Sequence, residues 1–453
     1  MRRRSLLQLA ALAAAPVACT TERRRLEPLH AAPARPSVEK RSMPLEPHCA
    51  RVALPPEPPG LPIQDGPTDP PRVPIVRPEL LGGFYDGLAR LCAGHASDHL
   101  RIAVFGDSNL TMDLPTGRLR RRMQRRFGDG GHGFVALGKP WSHYIHMDVR
   151  HHVGAGWTSY AITTKPTSDG YYGLGGIVAE SRYPGAITYV ETAPKGSIVG
   201  STASRFDFYY IERPSGGAVD LVLDGAPQGR VETKSAQARG ALGFHRVEAT
   251  DGPHRLDVVA TSTGIARVSG IALERDTPGV VIDSFGVGSM NTKTLGRHDP
   301  TVFGAMLGRR RYDLVVFLTG ANDIFTMDAV PETMHRLVAL CRGALPDVSL
   351  LVVTPPDRGL RRSMKQTQQV VAQRHEVAKN EGCALWDQFE AMGGAGSMGR
   401  FVHEKFAVSD AVHFNERGAS FVADRLLVAL MDGFEKHLVR GGVDGCGGSS
   451  DSG

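Results

Sequence analysis

The chain has 453 residues, 41% of them hydrophobic and 22% charged, with a formal net charge of +6. That length exceeds one comfortable core and predicts two or three domains in a globular protein. The modest positive charge does not demand a nucleic-acid partner, and six scattered cysteines without a CxxC pair exclude a zinc ribbon or a thioredoxin-like motif.

In chain order, residues 1–19 come first. Arg2 to Arg4 precede an apolar stretch from Leu6 to Ala18 that is too short to span a bilayer, which predicts an export signal. Val17-Ala18-Cys19 resembles a lipobox, with Pro16 where leucine is usual; lipidation of Cys19 and ordinary cleavage both stay open. An exported protein, periplasmic or held at the cell envelope, follows, and its one membrane contact would be a lipid on Cys19. Residues 20–78 hold half of the 30 prolines and predict an extended, disordered tether. Cys49 and Cys446 flank the folded part and leave a disulfide open, whereas Cys92, Cys341 and Cys383 sit in apolar runs as buried thiols.

Residues 79–138 begin with a helical pattern (Leu81, Phe84, Leu88, Leu91) and a buried strand, 101–106. A helix over 118–127 carries five arginines between Arg120 and Arg126. No aromatic or base-reading motif accompanies them, so a solvated helix face is expected. From 139 to 278 the apolar residues alternate. Strands at 206–211, 218–223, 254–259 and 266–273, separated by Gly and Pro turns, predict an antiparallel β-sandwich. Between 279 and 437 short apolar strands (279–283, 314–318, 349–353, 384–386) alternate with helices near 331–343, 365–380 and 418–435. Together with 101–106 they predict one α/β domain with a parallel sheet of about five strands, interrupted by the sandwich. Residues 438–453 read as a disordered Gly/Ser-rich tail.

Three short blocks carry chemistry. The first strand ends in Gly106-Asp107-Ser108, where open α/β sheets place ligands. Strand 314–318 ends in Gly320-Ala321-Asn322-Asp323, and near the C-terminus stands Asp410-Ala-Val-His413. A carboxylate three residues before a histidine orients that imidazole, which then takes a serine proton. Asp107 and Asp323 are expected to brace their turns.

Jointly these blocks resemble the SGNH (GDSL-type) hydrolase superfamily over about 80–138 and 279–437. The resemblance implies a three-layer α/β/α, flavodoxin-like sheet with Ser108 as nucleophile, His413 as general base and Asp410 as its orienting acid. It also implies an oxyanion hole from the Ser108 amide, the Asn322 side chain and a glycine amide, for which Gly288 is preferred to Gly286. The Gly128–Phe134 and Ala391–Met398 segments and the insertion look like those of bacterial peptidoglycan O-acetylesterases, whose insertion is a carbohydrate-binding-like sandwich. The implied activity is a secreted acetylesterase, monomeric and free of cofactors, acting on an acetylated glycan of the cell wall through an acetyl-Ser108 intermediate. An O-acetyltransferase with the same triad and a silent wall-binding lipoprotein are the alternatives; a long-chain lipase lacks a visible apolar lid.

Two clusters lie outside these blocks. His143, His146, His151 and His152 surround Asp148 at spacings that match no metal motif, so a wet loop near the cleft is expected rather than a metal site. Trp141, Trp157, Tyr171 and Tyr172 are able to stack on sugars, but core or turn positions are the expectation.

Overall fold

Short, continuously apolar runs give strands buried on both faces, as a parallel sheet requires. The computed structural model describes residues 54–67, 72–261, 264–359 and 363–443. The export segment, the tether up to residue 53 and Cys19, Cys49 and Cys446 lie outside these residues. In chain order the strands are β1 (Leu100–Gly106), β2 (Gly133–Ala136), β3 (Val149–Val153), β4 (Thr158–Ala161), β5 (Ile177–Ser181), β6 (Ile187–Thr192), β7 (Ala203–Glu212) and β8 (Ala218–Leu223). They continue with β9 (Ala226–Glu232), β10 (Ala241–Gly252), β11 (Arg255–Ala260), β12 (Ala266–Glu274), β13 (Val280–Gly286), β14 (Leu314–Leu318), β15 (Ser349–Val353) and β16 (Ala384–Trp386).

Five of these form one parallel sheet in the order β13-β1-β14-β15-β16. The period of two sends alternate side chains into different layers. Ile102, Val104, Ile282 and Val316 meet helices Gly82–Cys92, Leu114–Phe127 and Glu416–Val443. Ala103, Phe105, Val315 and Phe317 meet helices Pro300–Arg310, Val330–Ala344 and Met364–Asn380. The result is the three-layer α/β/α sheet, with its order reversing between β1 and β14. Such a switch point opens the crevice in which ligands bind.

The remaining strands form two antiparallel sheets. One runs β10-β7-β12-β5-β4 with β2 added on β12, and the other runs β3-β6-β11-β8-β9. Their facing sides bury Phe206, Phe208, Leu221, Leu256 and Val268. The outer face of the first sheet brings Phe134, Tyr209 and Ala272 into the same core as Phe285 and Phe303 of the α/β domain. A fully buried ion network closes this junction. Glu274 at the end of β12 bonds Arg101 (2.8 and 2.9 Å) and Arg310 (2.7 Å), and Asp283 of β13 bonds Arg310 (2.8 Å) and the Tyr312 hydroxyl (2.5 Å).

Four sequence expectations change. First, the described part of the proline-rich segment is a strap on the α/β domain, not a tether. Leu61 and Ile75 are buried, Val76 bridges Leu385, and the Trp386 indole donates to the Val73 carbonyl at 3.2 Å. Second, the arginine-rich helix begins at Leu114 and is not a solvated face. Arg120 binds Asp113, Arg118 binds Asp424, Arg121 binds Asp148, and Arg122 and Arg126 bind Glu57 of the strap; Arg125 is exposed. Periodicity marks the helix but not the carboxylates that distant segments bring to it. Third, β2, expected within the first part of the hydrolase domain, pairs with β12 and so belongs to the sandwich sheet. Fourth, the last helix runs on to Val443, so the tail begins later than residue 438.

Candidate active site

Gly106 ends β1, and a Cβ there would sit 2.3 Å from a Leu110 methyl. The missing side chain lets the chain turn back at once into the Ser108–Leu110 turn. Asp107 caps that turn, its carboxylate accepting from the Asn109 amide at 3.0 Å. Burial raises the Asp107 carboxyl to about 6.

Three distant segments meet at Ser108. The His413 Nε2 lies 2.7 Å from Ser108 Oγ, and its Nδ1 lies 2.6 Å from Asp410 Oδ2. The other Asp410 oxygen accepts from the Val412 and His413 amides at 2.9 and 3.0 Å, so the acid holds its own turn as well as the ring. Burial pushes the Asp410 carboxyl up, and the bonds from His413 and the two amides outweigh it, leaving the group below its ordinary value. The turn places Ala411 at φ 57°, a left-handed conformation disfavoured by a Cβ.

Asn322 follows β14 across the switch point from Ser108. Its carboxamide donates to the Met290 carbonyl at 3.0 Å, which leaves the second N–H of the same nitrogen available. Asp323 braces this turn from beneath, taking the Thr292 amide at 2.7 Å and Arg374 at 2.6 Å in a fully buried ion pair. The two glycines beyond β13 have separate roles. Gly286 pairs with Gly106 in the sheet, and a Cβ there would meet the Leu110 backbone at 2.4 Å, so it is needed for packing. Gly288 lies beside the Trp141 indole, 3.2 Å from the position of an added Cβ. Neither the Ser108 nor the Gly288 N–H donates to any acceptor among the described residues. Hydrogen bonds thus bring Ser108, His413 and Asp410 together, with Asn322 beyond the end of neighbouring β14 and Gly288 in the loop after β13.

Sequence reasoning missed two participants, Asn109 and Arg358. Asn109 clamps the histidine loop, accepting from the Phe414 amide at 3.0 Å and donating to the Val412 carbonyl at 3.4 Å. Trp141 stands in a turn and packs on the core, as expected, and also lines the Gly288 loop; Trp157 and Tyr172 are buried as expected. Arg358 donates to the Ala321 carbonyl beside Asn322 at 2.6 Å. Adjacency to Ser108 was the only available signal, and it pointed to Asn109 alone.

The histidine-rich segment differs from expectation. His146 is buried rather than in a wet loop, and it lies with His132 and Asp113 within 4.8 Å of one another. Their rings pack edge-on, centroids 5.7 Å apart, and His146 bonds the Tyr144 hydroxyl at 3.0 Å. The cluster does not offer a free carboxylate. Asp113 accepts from Arg120, Thr116 and the Met147 amide, so a guanidinium already supplies the positive charge a metal would bring.

Residues 251–420 match the model of the GDSL-like Lipase/Acylhydrolase family, a span that holds Asn322, Asp410 and His413 and follows Ser108. A solved peptidoglycan O-acetylesterase is 22% identical, with a TM-score of 0.64 over 78% of this chain and 96% of that one. A family two carbohydrate esterase from Cellvibrio japonicus is 11% identical over 66% of this chain and 98% of its own, with a TM-score of 0.26. Another, from Corynascus thermopiles with a carbohydrate binding domain, is 11% identical over 62% and 99%, with a TM-score of 0.28. No curated protein sequence matches the chain. The chain thus carries a GDSL-like lipase/acylhydrolase domain on the SGNH-hydrolase fold, the domain of a carboxylic ester hydrolase.

Proposed function

We propose that the protein is a serine esterase that removes O-acetyl groups from a carbohydrate polymer, with peptidoglycan the favoured polymer. The observation that carries this reading is the continuous hydrogen-bonded line from Ser108 through His413 to Asp410, at 2.7 and 2.6 Å. Ser108 Oγ attacks the acetyl carbonyl carbon while His413 Nε2 takes its proton. Negative charge developing on the carbonyl oxygen meets the Ser108 and Gly288 amides and the unused N–H of Asn322. His413 then protonates the departing sugar oxygen, and acetyl-Ser108 remains. Water attacks that ester while His413 takes its proton, the bond to Ser108 Oγ breaks as His413 returns the proton to that oxygen, and acetate leaves.

The solved peptidoglycan O-acetylesterase supports the choice of polymer, since it shares the fold across almost its whole length. The export signal read in residues 1–19 supports a place outside the cytoplasm, with Cys19 the candidate anchor. Among the described residues no helix is long and apolar enough to cross a membrane.

The test is acetate release from O-acetylated peptidoglycan and from a neutral acetylated glycan, by the protein and by Ser108→Ala. The variant is expected to lose at least about a thousandfold in kcat. Equal rates for the two proteins would overturn the mechanism, and release from the neutral glycan alone would overturn the choice of polymer.

A further inference from the structure

Eight arginines are buried among the described residues: Arg101, Arg120, Arg122, Arg213, Arg267, Arg310, Arg358 and Arg374. Seven of them form an ion pair with a carboxylate. Arg358 forms none. A buried guanidinium without an ion-paired carboxylate is costly.

The position of Arg358 says which anion. It follows β15, and its Nη1 donates to the Ala321 carbonyl at 2.6 Å, next to Asn322. The following Gly359 amide donates to the Ala411 carbonyl at 2.9 Å, inside the Asp410–His413 turn. Arg358 thus stands between the oxyanion loop and the histidine loop. Among the described residues its Nε has no partner, and no acceptor takes its Nη2. The nearby carboxylates are committed elsewhere: Asp410 holds His413, and Asp107 caps the Ser108 turn. Beside the guanidinium lies the Phe325 ring, with Cζ 5.7 Å from its centroid. Phe325 is 72% exposed, more than any other large apolar side chain among the described residues. The exposed ring offers a flat face to a sugar, and the Nη2 of the guanidinium offers its N–H groups to a carboxylate.

We propose that Arg358 and Phe325 form a subsite for a carboxylate-bearing glycan, which makes the substrate an acidic acetylated polymer rather than a neutral one. This rests on the esterase reading of Ser108. The ring packs on a sugar next to the acetylated residue, and the guanidinium takes a carboxylate on that sugar or on a peptide attached to it.

Two measurements test the subsite. In the first, kcat/KM for O-acetylated peptidoglycan is divided by kcat/KM for p-nitrophenyl acetate, in the wild type, Arg358→Gln, Arg358→Lys and Phe325→Ala. The ratio is expected to fall about tenfold to a hundredfold in Arg358→Gln, mainly through KM, and to recover in part in Arg358→Lys. Phe325→Ala lowers it as well. An unchanged ratio in Arg358→Gln would mean that the residue only braces the Ala321 loop, and would overturn the proposal. The second needs no variant. Wild-type protein acts on acetylated glycan strands stripped of stem peptides, on the same strands with their carboxylates converted to amides, and on intact peptidoglycan. Preference for the free-carboxylate strands over the amides, weakening with salt, supports a carboxylate on the sugar; preference for intact peptidoglycan alone supports one on the peptide. Equal rates on all three would overturn the subsite. Absence of p-nitrophenyl acetate turnover in the wild type is a different failure, that of the esterase reading itself.

Discussion

Asn109 joins the nucleophile turn to the histidine loop with both ends of its carboxamide, to the Phe414 amide and the Val412 carbonyl. It touches no reacting atom, so its effect passes through the position of His413. Asn109→Ala is expected to lower kcat about a hundredfold through misplacement of the ring, with KM and melting temperature little changed. Steady-state kinetics with a thermal melt checks this, and equal falls in activity and stability would show a merely structural role. At this scale the legible residues were those in short, local patterns. Ser108 and Asn322 directly follow apolar strands, and Asp410 and His413 share one turn. Arg358 and Phe325 were not legible, because each gains its role from a loop that meets it only in three dimensions. Local pattern did not separate Gly288 from Gly286; in the structure Gly286 pairs with Gly106 and packs on Leu110, whereas Gly288 lies in the loop beyond.

At the scale of elements, strands were legible because continuous apolar runs and alternating runs bury differently. Ion pairs between elements were not. Nothing local to Glu274 shows that Arg101, Arg205 and Arg310 converge on it from three other elements. Burial pushes the Glu274 carboxyl up, but these guanidinium groups outweigh it and hold it well below the ordinary range. Glu274→Gln leaves Arg101 with only the partly exposed Asp98 as counter-charge and removes one of the two carboxylates on Arg310. The expected cost is about 3–5 kcal/mol, read as a lower denaturant midpoint in urea. A change under about 1 kcal/mol would show that water reaches this junction.

For the whole molecule, the buried histidines set the response to acid. Burial lowers His99 and His146 to about 4 and His151 to about 3, and it holds His132 and His298 below their ordinary value. The unfolded chain binds these protons near pH 6.5, whereas the folded one refuses them until lower pH. Stability from these groups is therefore complete above about pH 6.5 and is lost as pH falls through about 4. Asp107, raised to about 6, acts in the opposite direction as pH rises toward neutrality. The expected result is a melting temperature that drops between pH 6.5 and 4, with a shallower drop in His146→Gln. A flat profile would mean that the cluster is hydrated and titrates normally.

The insertion of the sandwich between β1 and β13 has a consequence in time. These strands are neighbours in the sheet, yet the whole sandwich is made between them. At ordinary synthesis rates the ribosome takes roughly ten to thirty seconds to cross that interval. The sandwich has its own core and is complete at the end of β12, before β13 emerges. It is therefore placed to fold first, while β1 waits with both edges bare. The Ser108 turn, which leans on Gly286 through Leu110, takes shape only when the chain returns. The nucleophile is among the earlier residues synthesised and among the later ones to reach its working position.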